Sequence, residues 1–242
     1  MNNTYYKNLD ENFEQAVSLV EKDFTYEDMI FMLSEGNIPE KQIAALRLDT
    51  LKSESDAEIL IKNLIGQDGK IREAVSLKIK EFAFNNEYRK ILFDLDDDFL
   101  SDYFLAAIID INGNICRNII DVLVCIKYCD NFVQKFCAKL IELIYELFDK
   151  IKEFDFKDGK YKVNKEIFKL YWCLEALNVY YDKIPASELR KILKVSKAID
   201  EYTIREKTAK ILSNDINDTE LLRYREELKQ DKNYYVRRIL EC

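Results

Sequence analysis

Four arginines sit at matching places in the chain. DGKIR (68–72), GNICR (113–117), EYTIR (201–205) and NYYVR (233–237) each carry an arginine just inside a helical pattern that follows a turn. Ile71, Ile204 and Val236 directly precede Arg72, Arg205 and Arg237; Cys116 takes that place before Arg117, with Ile115 ahead of it. A planar guanidinium offers forked donors that suit phosphates and carboxylates. Seen once, such an arginine suggests an anion site. Seen four times in one setting, it suggests a repeated joint, with Asp68 and Glu201 as carboxylate partners close at hand.

Other chemistry is thinly supplied. The chain has no histidine, which removes Ser-His-Asp and Cys-His catalysis, His-based metal sites and His pH switches. The acid run Asp94, Asp96, Asp97, Asp98 suggests a calcium loop, but Phe99 stands where the loop needs glycine and Leu105 where it needs a bidentate Glu. These aspartates fit a helix start better. Cys116, Cys125, Cys129 and Cys137 cluster without a CxxC pair, so small buried hydrophobes, not metal ligands, are expected. No cofactor is called for.

Two aromatic stretches could bind a partner. EIFKLYWCLEALNVYYDKI (166–184) holds the single tryptophan, Trp172, with Tyr171, Tyr180 and Tyr181. At helical spacing it is apolar on two sides, which predicts a central helix; the alternative is an exposed aromatic platform. FDFKDGKYKVN (154–164) mixes Lys157, Lys160 and Tyr161 with other aromatics and reads as an inter-helix insertion able to touch a partner. KYKVN within it is the one weak strand candidate. The last helix, NYYVRRILEC, must lay Tyr234, Tyr235, Val236, Ile239 and Leu240 on the preceding helix or on a second copy.

The elements that position these residues are helical almost throughout. Only 5 glycines and 2 prolines interrupt 242 residues, too few for a turn-rich β fold. Residues 9–24 would bury Phe13, Ala16, Val17 and Val20; Thr25 caps the next helix; Gly36 ends it; Pro39 opens another. Helices then come in pairs. EKQIA (40–44) and NKEIF (164–168) fit the arginine frame without the arginine, so anchors fall at 44, 72, 117, 168, 205 and 237. Their mean spacing is near the ~40 residues of helical-pair repeats.

This pattern resembles HEAT-like (armadillo-type) repeats over roughly residues 37–242. The resemblance implies an all-α, curved α-α superhelix of about five to six helix pairs. One domain over 1–242 is expected, with 1–36 as an atypical N-terminal cap. It further implies first helices on the convex side, second helices on the concave side, and an arginine bonded into a turn of its own or a neighbouring repeat. Such arrays serve many ends. The leading expectation is a non-catalytic scaffold gripping a protein or peptide. Two other classes are a base-repair protein resembling HEAT-like DNA glycosylases, and an accessory enzyme resembling HEAT-like bilin lyases. The net charge of −8 and the lone tryptophan fit the glycosylase pattern poorly. No signal-peptide pattern or apolar run of membrane-spanning length occurs, so a cytoplasmic, membrane-free setting is expected.

Overall fold

The computed structural model describes residues 14, 15, 17–153 and 160–241. Among them every regular element is a helix. A turn of helix over 17–20 (α1) precedes α2 (Tyr26–Glu35), α3 (Ile38–Arg47), α4 (Glu54–Lys62), α5 (Gly69–Phe84), α6 (Asn86–Phe93), α7 (Asp97–Ile108) and α8 (Gly113–Cys125). The longer α9 (Asp130–Glu153) and α10 (Lys160–Val179) follow, then α11 (Ala186–Ser196), α12 (Tyr202–Leu212), α13 (Thr219–Leu228) and α14 (Tyr234–Glu241).

Local chemistry sets the boundaries. Thr25 and Asp28 form a reciprocal capping box on α2, and Asn37 and Glu40 do the same on α3, where Pro39 occupies the first turn. Ser53, Asp68, Asn85, Glu201 and Asp218 each accept a backbone N–H at a helix start. Asp96 takes the Phe99 N–H at 2.9 Å, so the acid run caps α7. Gly36 ends α2 for a steric reason. Its φ is −69°, but a Cβ there would lie 2.4 Å from the Met32 carbonyl oxygen and 2.9 Å from Glu40 Cβ. Gly66, at φ +72°, is the left-handed position that glycine alone adopts cheaply.

The chain divides into two compact units, Met1–Ala107 with Ile111–Cys125, and Ile108–Asp110 with Ile126–Cys242. In the first, α2, α4 and α6 pack in one row and α3, α5 and α8 in a second. α7 joins this core through Leu100 and Phe104, the latter edge-on to Phe93. In the second unit, α9, α11 and α13 form one row and α10, α12 and α14 the other. Each unit is thus built from helix pairs stacked in two layers, the HEAT-like arrangement. All six anchor positions, including the arginine-free Ala44 and Phe168, fall on helices of the second layers.

Burial follows the helical stripes. Leu33, Ala44, Leu60, Ile71, Val75, Ile79, Ile115 and Ile119 are sealed in the first unit, and Phe136, Leu140, Leu170, Leu174, Leu177, Ile192, Ile204 and Ile211 in the second. Each fully buried Leu, Ile or Phe contributes about 1.5–3 kcal/mol by leaving water. No pair could hide its stripe alone, so each row needs its neighbour.

Several expectations change here. Within the stretch expected as a cap, residues 26–35 form a helix packed on α3 and α4. On α1, Val17 and Val20 are about half exposed while Leu19 is buried, so the apolar face is turned from the one expected. Residues 160–164, assigned to the insertion and to a weak strand, belong to α10. α14 packs mainly on α12, its second-layer neighbour, and less on the preceding α13; Val236 and Leu240 are its buried anchors.

Candidate functional site

The anchor arginines reach back across the turn that precedes their own helix. Arg72 Nη1 donates to the Gln67 carbonyl. Arg205 Nη1 donates to the carbonyls of Ile199 (2.8 Å) and Asp200 (2.6 Å), and Arg237 Nη1 to that of Asp231 (2.5 Å). Arg89, outside the repeat frame, does likewise with Ala83 O at 2.6 Å. The accepting carbonyls of Gln67, Ile199, Asp200 and Asp231 belong to turn residues beyond the preceding helix, and a guanidinium satisfies them without competing for any helix's own bonds.

Asp231 makes this a joint between successive pairs. Its carboxylate takes Arg205 Nε at 2.6 Å and Nη2 at 3.2 Å, and the Asn233 N–H at 2.7 Å. The Arg205 and Asp231 side chains are only 6% and 8% exposed. Burial alone would raise the Asp231 carboxyl, but the Arg205 bonds and charge and the Asn233 N–H outweigh it, holding it below the usual range.

Two expected partners are corrected. Glu201 does not bond Arg205; its Oε1 accepts from Thr203 N and Oγ1 and caps α12. Asp68 caps α5 through Lys70 N at 2.9 Å. Arg117 departs from the pattern: it is exposed and makes no hydrogen bond or ion pair among the described residues. The GNICR turn instead sends Asn112 and Asn114 to Glu73, at 2.9 and 2.8 Å.

Those contacts belong to polar stripes that sequence reading missed. Between α5 and α8, Glu73 meets Asn112 and Asn114, Ser76 meets Asn118 at 3.1 Å, and Lys80 meets Asp121 at 2.6 Å. Between α10 and α12, Glu175 pairs with Lys207 and with Lys210 (2.7 Å), and Asn178 with Asn214 (2.8 Å). In both units the stripe runs at i, i+3 or i+4, i+7, the spacing of one helix face. Burial alone would raise Glu175, but Lys207 and Lys210 hold it below its ordinary range. Burial would lower Lys207; Glu175 and Tyr171 raise it instead.

Above this stripe lies a cavity of about 420 Å³, walled by Asn164, Ile167, Phe168, Tyr171 and Trp172 of α10 and by Glu201 and Thr203 at the start of α12. The Trp172 ring stands edge-on to Phe168 (centroids 6.3 Å, 74°) and to Tyr171 (5.3 Å, 82°). Trp172 is 8% exposed, and its indole Nε1 is buried with no hydrogen-bond partner among the described residues. A buried donor left without an acceptor costs about 1–3 kcal/mol. Among the described residues, Glu201 is the one charged residue of the wall. Its Oε1 is used by Thr203, while Oε2 meets no donor among the described residues.

The aromatic surface continues along the same helix starts. Tyr202 lies against Tyr235 (6.2 Å) and Tyr235 against Tyr234 (5.7 Å). They are 38%, 57% and 55% exposed respectively. In the sequence Tyr234 and Tyr235 stand out only as terminal apolar residues, and nothing there marks Phe168 and Ile167 as wall or Tyr202 as its exposed continuation. Of the candidates, Tyr171 and Trp172 share the cavity, Tyr181 is half-buried beyond it, and Tyr180 is removed from any surface. Tyr180 is fully buried against Phe136, and burial pushes its phenol well above the ordinary range. Lys157 lies outside the described residues; for Lys160 and Tyr161 the helical backbone alone is described.

Cys125 and Cys137 are free thiols, and Cys116, Cys137 and Cys173 are buried. Among the described residues no group of three or more His, Cys, Asp or Glu gathers as metal ligands, and no helix is long and apolar enough to cross a membrane.

No protein-family model matches the sequence, and no curated protein does. Among solved structures, an engineered protein from the Northeast Structural Genomics Consortium is similar at 12% identity, over 89% of this chain and 93% of its own, with a TM-score of 0.48. A designed armadillo repeat protein is similar at 15% identity, over 90% of this chain and 97% of its own, with a TM-score of 0.49. The helix pairing in each unit, with its two layers and recurrent turn-bonded arginines, defines the fold as an all-α array of stacked helix pairs.

Proposed function

We propose that the protein is a non-catalytic scaffold that binds a segment of a protein partner across the second-layer helices of its C-terminal unit. The observation that carries this is the open, aromatic-walled cavity between α10 and α12, continued by the exposed tyrosines of α12 and α14. Tyr and Trp supply large contact area at low entropic cost, which is why they dominate binding surfaces. Base repair and lyase chemistry draw no support from this surface. Among the described residues, Lys169, Lys207 and Lys210 beside it are already paired with Glu166 and Glu175 and are not free to grip phosphate. A reducing, cytoplasmic setting suits the free thiols of Cys125 and Cys137.

The test is affinity purification of the tagged wild type beside Phe168→Asp, with circular dichroism to confirm equal folding. Proteins bound by the wild type and lost with Phe168→Asp support the reading. Identical sets from both refute it.

A further inference from the structure

Resting on that reading of the second-layer surface, we propose that its occupant is a proline-rich segment in the polyproline II conformation carrying one arginine or lysine. Three observations converge on this class.

The first is the arrangement of rings. Phe168, Tyr171 and Trp172 stand on α10, Tyr202 on α12, and Tyr234 and Tyr235 on α14, three consecutive helices of one layer. Packed helices lie about 8–10 Å apart. A polyproline II chain returns to the same face every three residues, after about 9 Å. A chain crossing the row therefore sets one ring-sized residue against each helix in turn. Proline suits such contacts because its flat, rigid ring stacks on aromatics and its conformation exists before binding.

The second is the balance of donors and acceptors. The surface has a donor without an acceptor, the Trp172 indole N–H. It adds the exposed phenols of Tyr202, Tyr234 and Tyr235. A proline-rich backbone is its complement: prolines bring no N–H, and the carbonyls make no internal bonds. An ordinary strand would bring an N–H at every residue, more donors than the few wall acceptors on Asn164, Glu201 and Thr203 among the described residues. Because Nε1 is buried, a carbonyl reaches it only if the indole or its neighbouring rings rotate, so docking must disturb Trp172.

The third is charge. Asp200 is paired with Lys232, Asp231 with Arg205, and Glu175 with Lys207 and Lys210. Glu201, in the cavity wall, keeps one carboxylate oxygen unmatched among the described residues. A single cation beside the prolines completes it, and the same charge disfavours a stacked single-stranded nucleic acid, whose phosphates it would repel.

The test uses the full chain against an immobilised library of Pro-x-x-Pro peptides with one arginine at either end. A matched library has alanine in place of proline, and oligo(dT) serves as the nucleic-acid probe. The tightest peptides are then titrated by fluorescein anisotropy and by the emission of Trp172. The proposal expects saturable binding with a change in Trp172 emission. Loss should be at least about tenfold when the prolines become alanine. Arginine-to-glutamate exchange in the peptide should cost about two- to fivefold, the worth of one exposed ion pair, and Glu201→Gln should erase that difference. Tyr235→Ala, an exposed position that need not disturb folding, should weaken binding while Phe31→Ala in the other unit does not.

Equal binding of the alanine library overturns the proline class but leaves the binding surface standing. Binding of oligo(dT) in competition with the peptides overturns it in favour of nucleic acid. If no peptide binds and Phe168→Asp still retains every cellular partner, the surface itself falls, and the proposed function with it.

Discussion

Asp231→Ala should damage the protein far beyond its place near the last turn. The substitution removes both charge-assisted bonds to Arg205 and the cap on Asn233 N, leaving a guanidinium 6% exposed with only the Ile199 and Asp200 carbonyls. Breaking one partner of a buried pair costs about 3–5 kcal/mol. A chain of this size shifts its melting midpoint by about 2–4 °C per kcal/mol, so a drop of about 6–20 °C is expected. In a stacked array the loss should fall first on α12, α13 and α14. Circular dichroism melts give the midpoint, and hydrogen exchange locates the loosened amides. Asp231→Leu combined with Arg205→Met should recover part of the loss, because neither charge then remains buried alone. A midpoint shift below about 2 °C, with α12 still protected, would refute the joint, since that is the range of an ordinary surface change.

The pairs also set a pH window. Glu175 and Asp231 are held below their unfolded values, so their contribution is whole above about pH 4.3 and is lost as pH falls through their folded values. Lys207 is held above its unfolded value, so its share is present below about pH 10.4 and is lost as pH rises through the folded one. Glu175→Gln should flatten both edges in a midpoint-versus-pH series. Gly36→Ala should destabilise, because its Cβ would meet the Met32 carbonyl at 2.4 Å. Gly69→Ala, with nothing within 4 Å, should instead gain about 0.5–1 kcal/mol in urea titration. Trp172 emission in the free protein should be blue-shifted and resist acrylamide quenching, and a red, readily quenched band would contradict its burial.

The fold was legible because it rests on short-range rules repeated many times. Thr25, Asn37 and Ser53 mark helix starts by type alone, and the 3.6-residue stripes need no partner to be seen. The Ile-Arg frame placed the second-layer helices even where Ala44 and Phe168 replace the arginine. What that frame could not say was where each guanidinium would go. Glu201 is nearer to Arg205 in sequence than Asp231 is, but capping α12 turns it away, and the partner comes from the following turn. Arg117 shows the same limit: two asparagines beside it took over the polar contacts of that turn. Trp172 lies on α10 and Tyr180 just past its end, eight residues apart in one apolar stretch. Only the packing of α9 on one flank and α12 on the other decides that Tyr180 is sealed while Trp172 borders a cavity.

The Asp231 joint has a consequence for the order in which the chain is made. Synthesis delivers Arg205 first, and its buried carboxylate partner emerges only 26 residues later. Until then α12 can lie on α10 and α11 only with an unneutralised guanidinium beneath its surface. The α11–α12 pair therefore has reason to wait for α13 and α14, and a ribosome stalled between the two should hold α12 docked weakly or not at all. A force-sensing arrest assay across residues 225–240 would register the moment of closure as one late step, driven by the arrival of a single aspartate.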